Sequence, residues 1–201
     1  MRLFTTLTSP YGRIVRALII EKCYEDRIEL VPTVTRTLDT PVLNYNPSGR
    51  VPILVFDDDN FLEDTKLICE YIDALEGPPV LAPLDNWDEK HLEARVRSMM
   101  DGIAVWVREV RRPENEQSPE IVAHECRRAL RLAGVFDQLV ADGAFDGPLD
   151  LAQLTLGCTL HRPSGYPKTF NWRADNPNLA NWIDKISQRR SMQETLPPSQ
   201  L

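Results

Sequence analysis

The chain has 201 residues, 42% of them hydrophobic and 26% charged, with a formal net charge of −7. That length suits one large or two small domains with a real interior, and the acidic balance argues against nucleic-acid binding, whose footprint is a basic domain. No apolar run approaches the ~20 residues that cross a bilayer, and Met1-Arg2-Leu3-Phe4-Thr5-Thr6 lacks the regions of a secretion signal, so the cytoplasm is the expected location.

The first strand is expected over 3–7. A helix follows over 10–22, with Ile14, Leu18 and Ile19 on one stripe. Ser9-Pro10 is a helix-start signal: serine caps, and proline at the first helical position loses no needed hydrogen bond. Ile28 and Leu30 alternate with charged neighbours and predict a second strand, and 51–56 is short and apolar, as a buried strand is. Asp57-Asp58-Asp59-Asn60 is a turn, and Phe61-Leu62 is its hairpin partner. A helix over 65–75 turns Leu67, Ile68, Tyr71 and Ile72 inward.

Beyond Glu76 the signals are almost wholly helical. Gly77-Pro78-Pro79-Val80-Leu81-Ala82-Pro83 cannot sit inside a helix. The expected domains are therefore 1–76 and 84–201, joined by a linker at 77–83. Long helices are predicted over 87–112 and 119–141. Asp150-Leu151-Ala152-Gln153 reads as a capping box, with Leu149 and Leu154 placed as a hydrophobic staple. The run 154–160 is apolar nearly all round, which marks a buried helix. A last helix is predicted over 177–188, with an irregular tail at 196–201. Cys23, Cys69, Cys126 and Cys158 are widely spaced, without a C-x-x-C pair. They read as reduced thiols acting as small core residues, and a metal site is not expected.

The most informative stretch is Thr8-Ser9-Pro10-Tyr11-Gly12-Arg13. Dithiol redox proteins of thioredoxin type place two cysteines in such a strand-to-helix turn. Here serine and glycine stand in their places. The turn remains and both protein thiols are gone, which points to a protein that steers the thiol of another molecule.

Three segments of the first half carry a family likeness: Ser9-Pro10-Tyr11-Gly12-Arg13-Ile14-Val15-Arg16, Asn46-Pro47-Ser48-Gly49-Arg50-Val51-Pro52-Ile53-Leu54, and Leu62-Glu63-Asp64-Thr65-Lys66-Leu67-Ile68-Cys69-Glu70-Tyr71-Ile72. With Asp150-Leu151-Ala152-Gln153, they make the chain resemble a cytosolic glutathione S-transferase, most closely the bacterial serine-type members. The resemblance covers nearly the whole chain in the family's order. It implies a thioredoxin-like α/β N-terminal domain with a mixed sheet (βαβ then ββα), an all-α C-terminal domain and a homodimer. It also implies glutathione as co-substrate with no tightly bound cofactor, and a small electrophile as second substrate. Two positions depart from the family: Asp64-Thr65 replaces its acidic–serine pair, and Gln153 stands where aspartate is usual.

The resemblance assigns Ser9 as donor to the glutathione sulfur, with Tyr11 one residue inside the helix as the rival donor. It places a cis bond before Pro52, so that the Val51 backbone pairs with the cysteinyl unit. Arg50 meets the glycyl carboxylate or is a solvated charge. Thr65 suits the γ-glutamyl carboxylate and Asp64 its ammonium, at a helix start that favours anions. Met100, Ala104, Trp106 and Val107 are candidate walls for the second substrate between the domains, with Tyr11; the competing reading of that stripe is core packing. Transferase chemistry leads. Glutathione-dependent peroxidase, dehalogenase or etherase chemistry and a non-catalytic binding role on the same scaffold stay open.

Overall fold

The structure, a computed structural model, describes residues 1–162, 167 and 169–198. The chain divides into two compact units: Met1–Ala82 together with the residues from Arg190 onward, and Pro83–Arg189.

The first unit is the expected thioredoxin-like α/β domain. Its elements are β1 (Arg2–Thr5), α1 (Pro10–Glu21), β2 (Glu29–Pro32), a 3-10 turn at Pro41–Asn44, β3 (Ile53–Val55), β4 (Phe61–Glu63) and α2 (Thr65–Asp73). The sheet order is β2-β1-β3-β4. β1 runs parallel to β2, and the β1/β3 and β3/β4 pairs are antiparallel. A parallel pair needs a crossover, which α1 supplies; an antiparallel pair needs only a turn, which residues 57–60 supply. Phe4, Ile53 and Val55 form one apolar cluster with Val42 of the 3-10 turn. Leu3 and Leu54, paired across the ladder, point to the other face and are fully buried. Helices α1 and α2 pack on each other, and Ile14, Leu18, Ile68 and Ile72 of their apolar stripes are buried, whereas Leu67, expected inward, is exposed.

The second unit is helical: α3 (Trp87–Glu109), α4 (Pro119–Ala141), α5 (Leu151–Leu160), α6 (Trp172–Asp175) and α7 (Pro177–Ile186). Helix α3 starts with a complete capping box between Asn86 and Glu89. It packs on α4 and α5, and α4 packs on α7. Every residue of α5 is buried, as its all-round apolarity predicts. The first turn of α7 takes its cap from another helix: Asp137 of α4 accepts from Leu179 N at 2.9 Å and from Asn178 Nδ2 at 3.0 Å.

The capping box expected at α5 forms by half. The Asp150 side chain accepts from Gln153 N at 2.7 Å. The Gln153 amide, however, donates to the Phe145 carbonyl at 3.1 Å instead of returning to the cap. That carbonyl lies in the turn after α4 and also receives Trp182 Nε1 at 3.4 Å. A buried carbonyl needs a donor; glutamine has one and aspartate has none. This accounts for the family departure at position 153.

The last element returns to the first unit. Helix α8 (Arg190–Glu194) packs on α1, so the first unit takes up residues that chain order assigns to the 84–201 domain. Buried Arg13 donates to Met192 O at 3.0 Å and to Thr195 Oγ1 at 3.3 Å. Ser191 Oγ donates to the Glu21 carboxylate, and Arg190 pairs with Glu25 and Glu194. Helices α6 and α8 span 4 and 5 residues, too short to display a helical period. The irregular tail is as expected over 196–198, and residues 199–201 lie outside the described residues.

Two helices end in the same motif with different residues. At the end of α4, Gly143 N donates to Val140 O and Ala144 N to Leu139 O, with Gly143 at φ 81°. At the end of α1, Cys23 N donates to Ile20 O and Tyr24 N to Ile19 O, with Cys23 at φ 57°. This is the Schellman arrangement, whose left-handed position favours glycine.

Cys23 is exposed. Cys23→Gly is expected to raise the free energy of unfolding by about 0.5–1 kcal/mol, since relief of a left-handed residue exceeds the extra freedom glycine gives the unfolded chain; urea unfolding measures it. Gln153→Glu is expected to lower stability by about 2–4 kcal/mol, because it turns a carboxylate toward a buried carbonyl. An unchanged midpoint for Gln153→Glu would show that the Phe145 carbonyl does not need that donor.

Candidate functional site

The antiparallel ladders decide which residues meet. Ile53 is opposite Phe4 on one side and Glu63 on the other. Continuing those registers by two residues brings Val51 level with Thr6 and with Thr65. The end of β1, the start of β3 and the end of β4 therefore share one end of the sheet. The Val51–Pro52 bond and Asp64-Thr65 directly adjoin the ends of β3 and β4, and Ser9 follows the end of β1 after a short turn.

Ser9 caps α1, its Oγ accepting from Gly12 N at 3.1 Å. A hydroxyl that accepts still has its own proton to donate. Ser9 is half-buried, so that proton can reach a ligand. Tyr11, also half-buried, stands in the first turn of α1. Gly12 lies against β1: a Cβ built on it would sit 1.8 Å from Thr5 Oγ1 and 2.8 Å from Thr5 Cβ. Thr5 is fully buried. The position that holds a second cysteine in dithiol proteins thus has no room for a side chain here.

The Val51–Pro52 bond is cis, as the resemblance implies. Pairing of β3 begins at Ile53, so Val51 precedes the ladder. Arg50 is exposed, and its guanidinium makes no ion pair among the described residues. Its backbone N donates to Ser48 Oγ at 3.3 Å.

Asp64 is the N-cap of α2. One oxygen, Oδ1, accepts from Lys66 N at 3.0 Å and Leu67 N at 3.1 Å. Asp64 holds φ 76° and ψ 125°, a region L-residues seldom adopt and one that costs roughly 1–3 kcal/mol. The cap serves the second and third helical N–H groups. The Thr65 N–H and hydroxyl, at the positive end of the helix, carry no hydrogen bond among the described residues. Lys66 pairs with Glu70 along the outer face.

Three residues at this end went unread in the sequence: Asn46, Ser48 and Glu63. Asn46 Nδ2 donates to Glu63 Oε2 at 2.6 Å, and Ser48 Oγ to the same oxygen at 3.0 Å. Their sequence separations, 17 and 15 residues, hide the contact; the available signal was the hairpin that sets residue 63 across from residue 53.

Met100, Ala104, Trp106 and Val107 lie on α3 in the second unit. Met100, Trp106 and Val107 are buried and Ala104 is half-buried. Trp106 meets Phe170 edge-on, with ring centroids 5.5 Å apart. Among the described residues no helix is long and apolar enough to cross a membrane.

The glutathione S-transferase N-terminal domain family matches residues 8–75, and the glutathione S-transferase C-terminal domain family matches residues 119–185. The chain is 27% identical to an uncharacterized GST-like protein, YibF, of Escherichia coli K12, over 98% of this chain and 99% of that one. It superposes with a TM-score of 0.86 on a glutathione S-transferase of Methylobacillus flagellatus crystallised with glutathione bound, at 27% identity over 98% and 99% of the two chains. A glutathione transferase family member of Pseudomonas fluorescens Pf-5, also with bound glutathione, gives 0.85 at 28% identity over 98% of each chain.

Gly12→Ala is expected to cost about 3 kcal/mol or more, because a fully buried β1 side chain must yield. Thr5→Ala in the same chain should recover part of the loss; a purely additive double mutant would show that the two positions are not in conflict.

Proposed function

The chain belongs to the glutathione S-transferase family, and on that premise we propose that it is a glutathione transferase, holding the tripeptide at the shared end of β1, β3 and β4 and activating its thiol for attack on a small electrophile. The observation that carries the reading is the state of Ser9: its oxygen is engaged by Gly12 N–H, and its proton is left to donate beside the leading end of α1.

An ordinary thiol of this type titrates at about 8.5, so roughly 3% is ionised at pH 7. Making most of it thiolate takes a shift of about two pH units, or ~2.7 kcal/mol. A charge-assisted hydrogen bond from the Ser9 hydroxyl supplies ~1.5–3 kcal/mol. The helix N-terminus supplies ~0.3–1, and up to ~2 where partly buried. The bond from Gly12 N–H polarises the hydroxyl and strengthens it as a donor. The thiol proton leaves to solvent, and Ser9 keeps its own. The thiolate lone pair then forms the new carbon–sulfur bond, and the leaving group departs with its electrons.

Val51 would pair its backbone with the cysteinyl unit, as an added strand does. Thr65 would take the γ-glutamyl carboxylate on its N–H and hydroxyl. Asp64 has its Oδ2 for the γ-glutamyl ammonium while Oδ1 caps the helix. Exposed Arg50 would meet the glycyl carboxylate. On α3, Ala104 is the residue of the four that keeps partial exposure and would offer the electrophile a contact. A homodimer in the cytoplasm is the setting the family suggests.

Ser9→Ala is expected to lower kcat/KM toward a chromogenic electrophile by about 10- to 100-fold. Calorimetric affinity for glutathione should stay within about three-fold, and the kinetic pKa of the bound thiol should rise toward the free value of about 8.5. Loss of the helix cap, ~1 kcal/mol, is read separately by thermal unfolding. Full activity in Ser9→Ala with loss in Tyr11→Phe would transfer the role to Tyr11. A wild-type chain that does not bind millimolar glutathione would overturn the proposal as a whole.

A further inference from the structure

Residues 46–50 form a loop closed on itself. Gly49 N donates to Asn46 O at 3.0 Å, with Pro47 at the second position of the turn and Gly49 at φ 62°. Asn46, 1% exposed, accepts from Ser48 N on its Oδ1 at 2.9 Å and reaches Arg50 O with its Nδ2 at 3.4 Å. The Ser48 hydroxyl accepts from Arg50 N and donates to Glu63. Buried Asn46 donates to that same Glu63 oxygen. The loop is thereby cross-linked by its own hydrogen bonds and tied to one carboxylate.

The position of that carboxylate gives the tie its meaning. The β3/β4 ladder ends with the pair Ile53–Glu63. Beyond it backbone pairing stops, one segment running back to Val51 and the other onward to Asp64-Thr65. At that last pair the junction of Asn46, Ser48 and Glu63 ties the loop leading into Val51 to the strand leading into Asp64-Thr65. Both bonds fall on an ionised acceptor, the stronger kind of hydrogen bond.

We propose that Glu63 is a positioning residue: through Asn46 and Ser48 it sets the spacing between the Val51 backbone and the Asp64–Thr65 cap, the two points that must grip opposite parts of one extended tripeptide. The proposal rests on the reading that this end of the sheet binds glutathione. Glu63 does not touch the tripeptide. Its effect is on pre-organisation, so its loss raises the cost of binding and leaves the activating Ser9 unaltered.

The test compares wild type, Glu63→Ala, Glu63→Gln and Ser48→Ala, each checked by thermal unfolding. Glu63 is exposed, so truncation leaves the core intact. Amide hydrogen exchange at Gly49 and Arg50 in the ligand-free protein reports the junction itself. Calorimetry with glutathione and steady-state kinetics report its use. In Glu63→Ala, exchange at these amides should rise about ten-fold and glutathione affinity should fall about five- to ten-fold, with kcat at saturating glutathione within about two-fold. Glu63→Gln, which keeps a carbonyl acceptor, should recover most of both losses, and Ser48→Ala should show a smaller version of them. A wild type that binds glutathione and a Glu63→Ala protein that binds it equally well overturn the role of Glu63 and leave the glutathione reading standing. A wild type that does not bind glutathione, with exchange still accelerated in Glu63→Ala, overturns the glutathione reading and with it the positioning role.

Discussion

The double pairing of Ile53 is the constraint on which the first unit depends. One fully buried residue faces Phe4 on one side and Glu63 on the other. Strand side chains alternate with a period of two, so a slip of one residue in either ladder would turn Ile53 and Val55 out of their cluster and bring Leu54 into it. The register is therefore set by the core. The site is a by-product of that setting: with the ladders fixed, the residues just outside them can arrive only at one end of the sheet. Ser9 and Thr65 owe their association to apolar packing in which neither takes part, while Val51 itself packs on the edge of that cluster.

Much of this was legible in the residues. Ser9-Pro10 marked the start of α1, and the serine does cap it. The proline- and glycine-rich run after Glu76 marked the change from a mixed domain to a helical one. What stayed hidden depends on tertiary partners. The vacancy at Gly12 is dictated by Thr5, whose approach no local pattern encodes. Gln153 fits a capping box on sequence alone, and only the Phe145 carbonyl diverts its amide. Asn46 and Ser48 show no local sign of their task, which appears once the hairpin delivers Glu63. Helix α8 is too short and too polar to declare itself, and its place is chosen by Arg13, Glu21 and Glu25 on a segment far earlier in the chain.

The stretch read as a linker is firmly held to the first unit. Lys22 Nζ donates to the carbonyls of Asp73 and Pro78 at 2.8 and 2.9 Å. Tyr24 donates its hydroxyl to Glu76 O at 2.6 Å. Asp73 accepts from Val80 N at 2.7 Å and Leu81 N at 3.3 Å. Proline content correctly excluded a helix there, but it says nothing about mobility. The end of α1 supplies the donors that a proline-rich segment, short of N–H groups of its own, would otherwise have to find in water.

The return of α8 has a consequence for synthesis. A chain emerging from the ribosome presents β1 through α2 long before residues 190–195 exist. Until those arrive, Arg13 lacks two of its acceptors, Met192 O and Thr195 Oγ1, and a buried guanidinium short of acceptors is costly. The first unit is thus begun early in translation and completed only once residues 190–195 have been made.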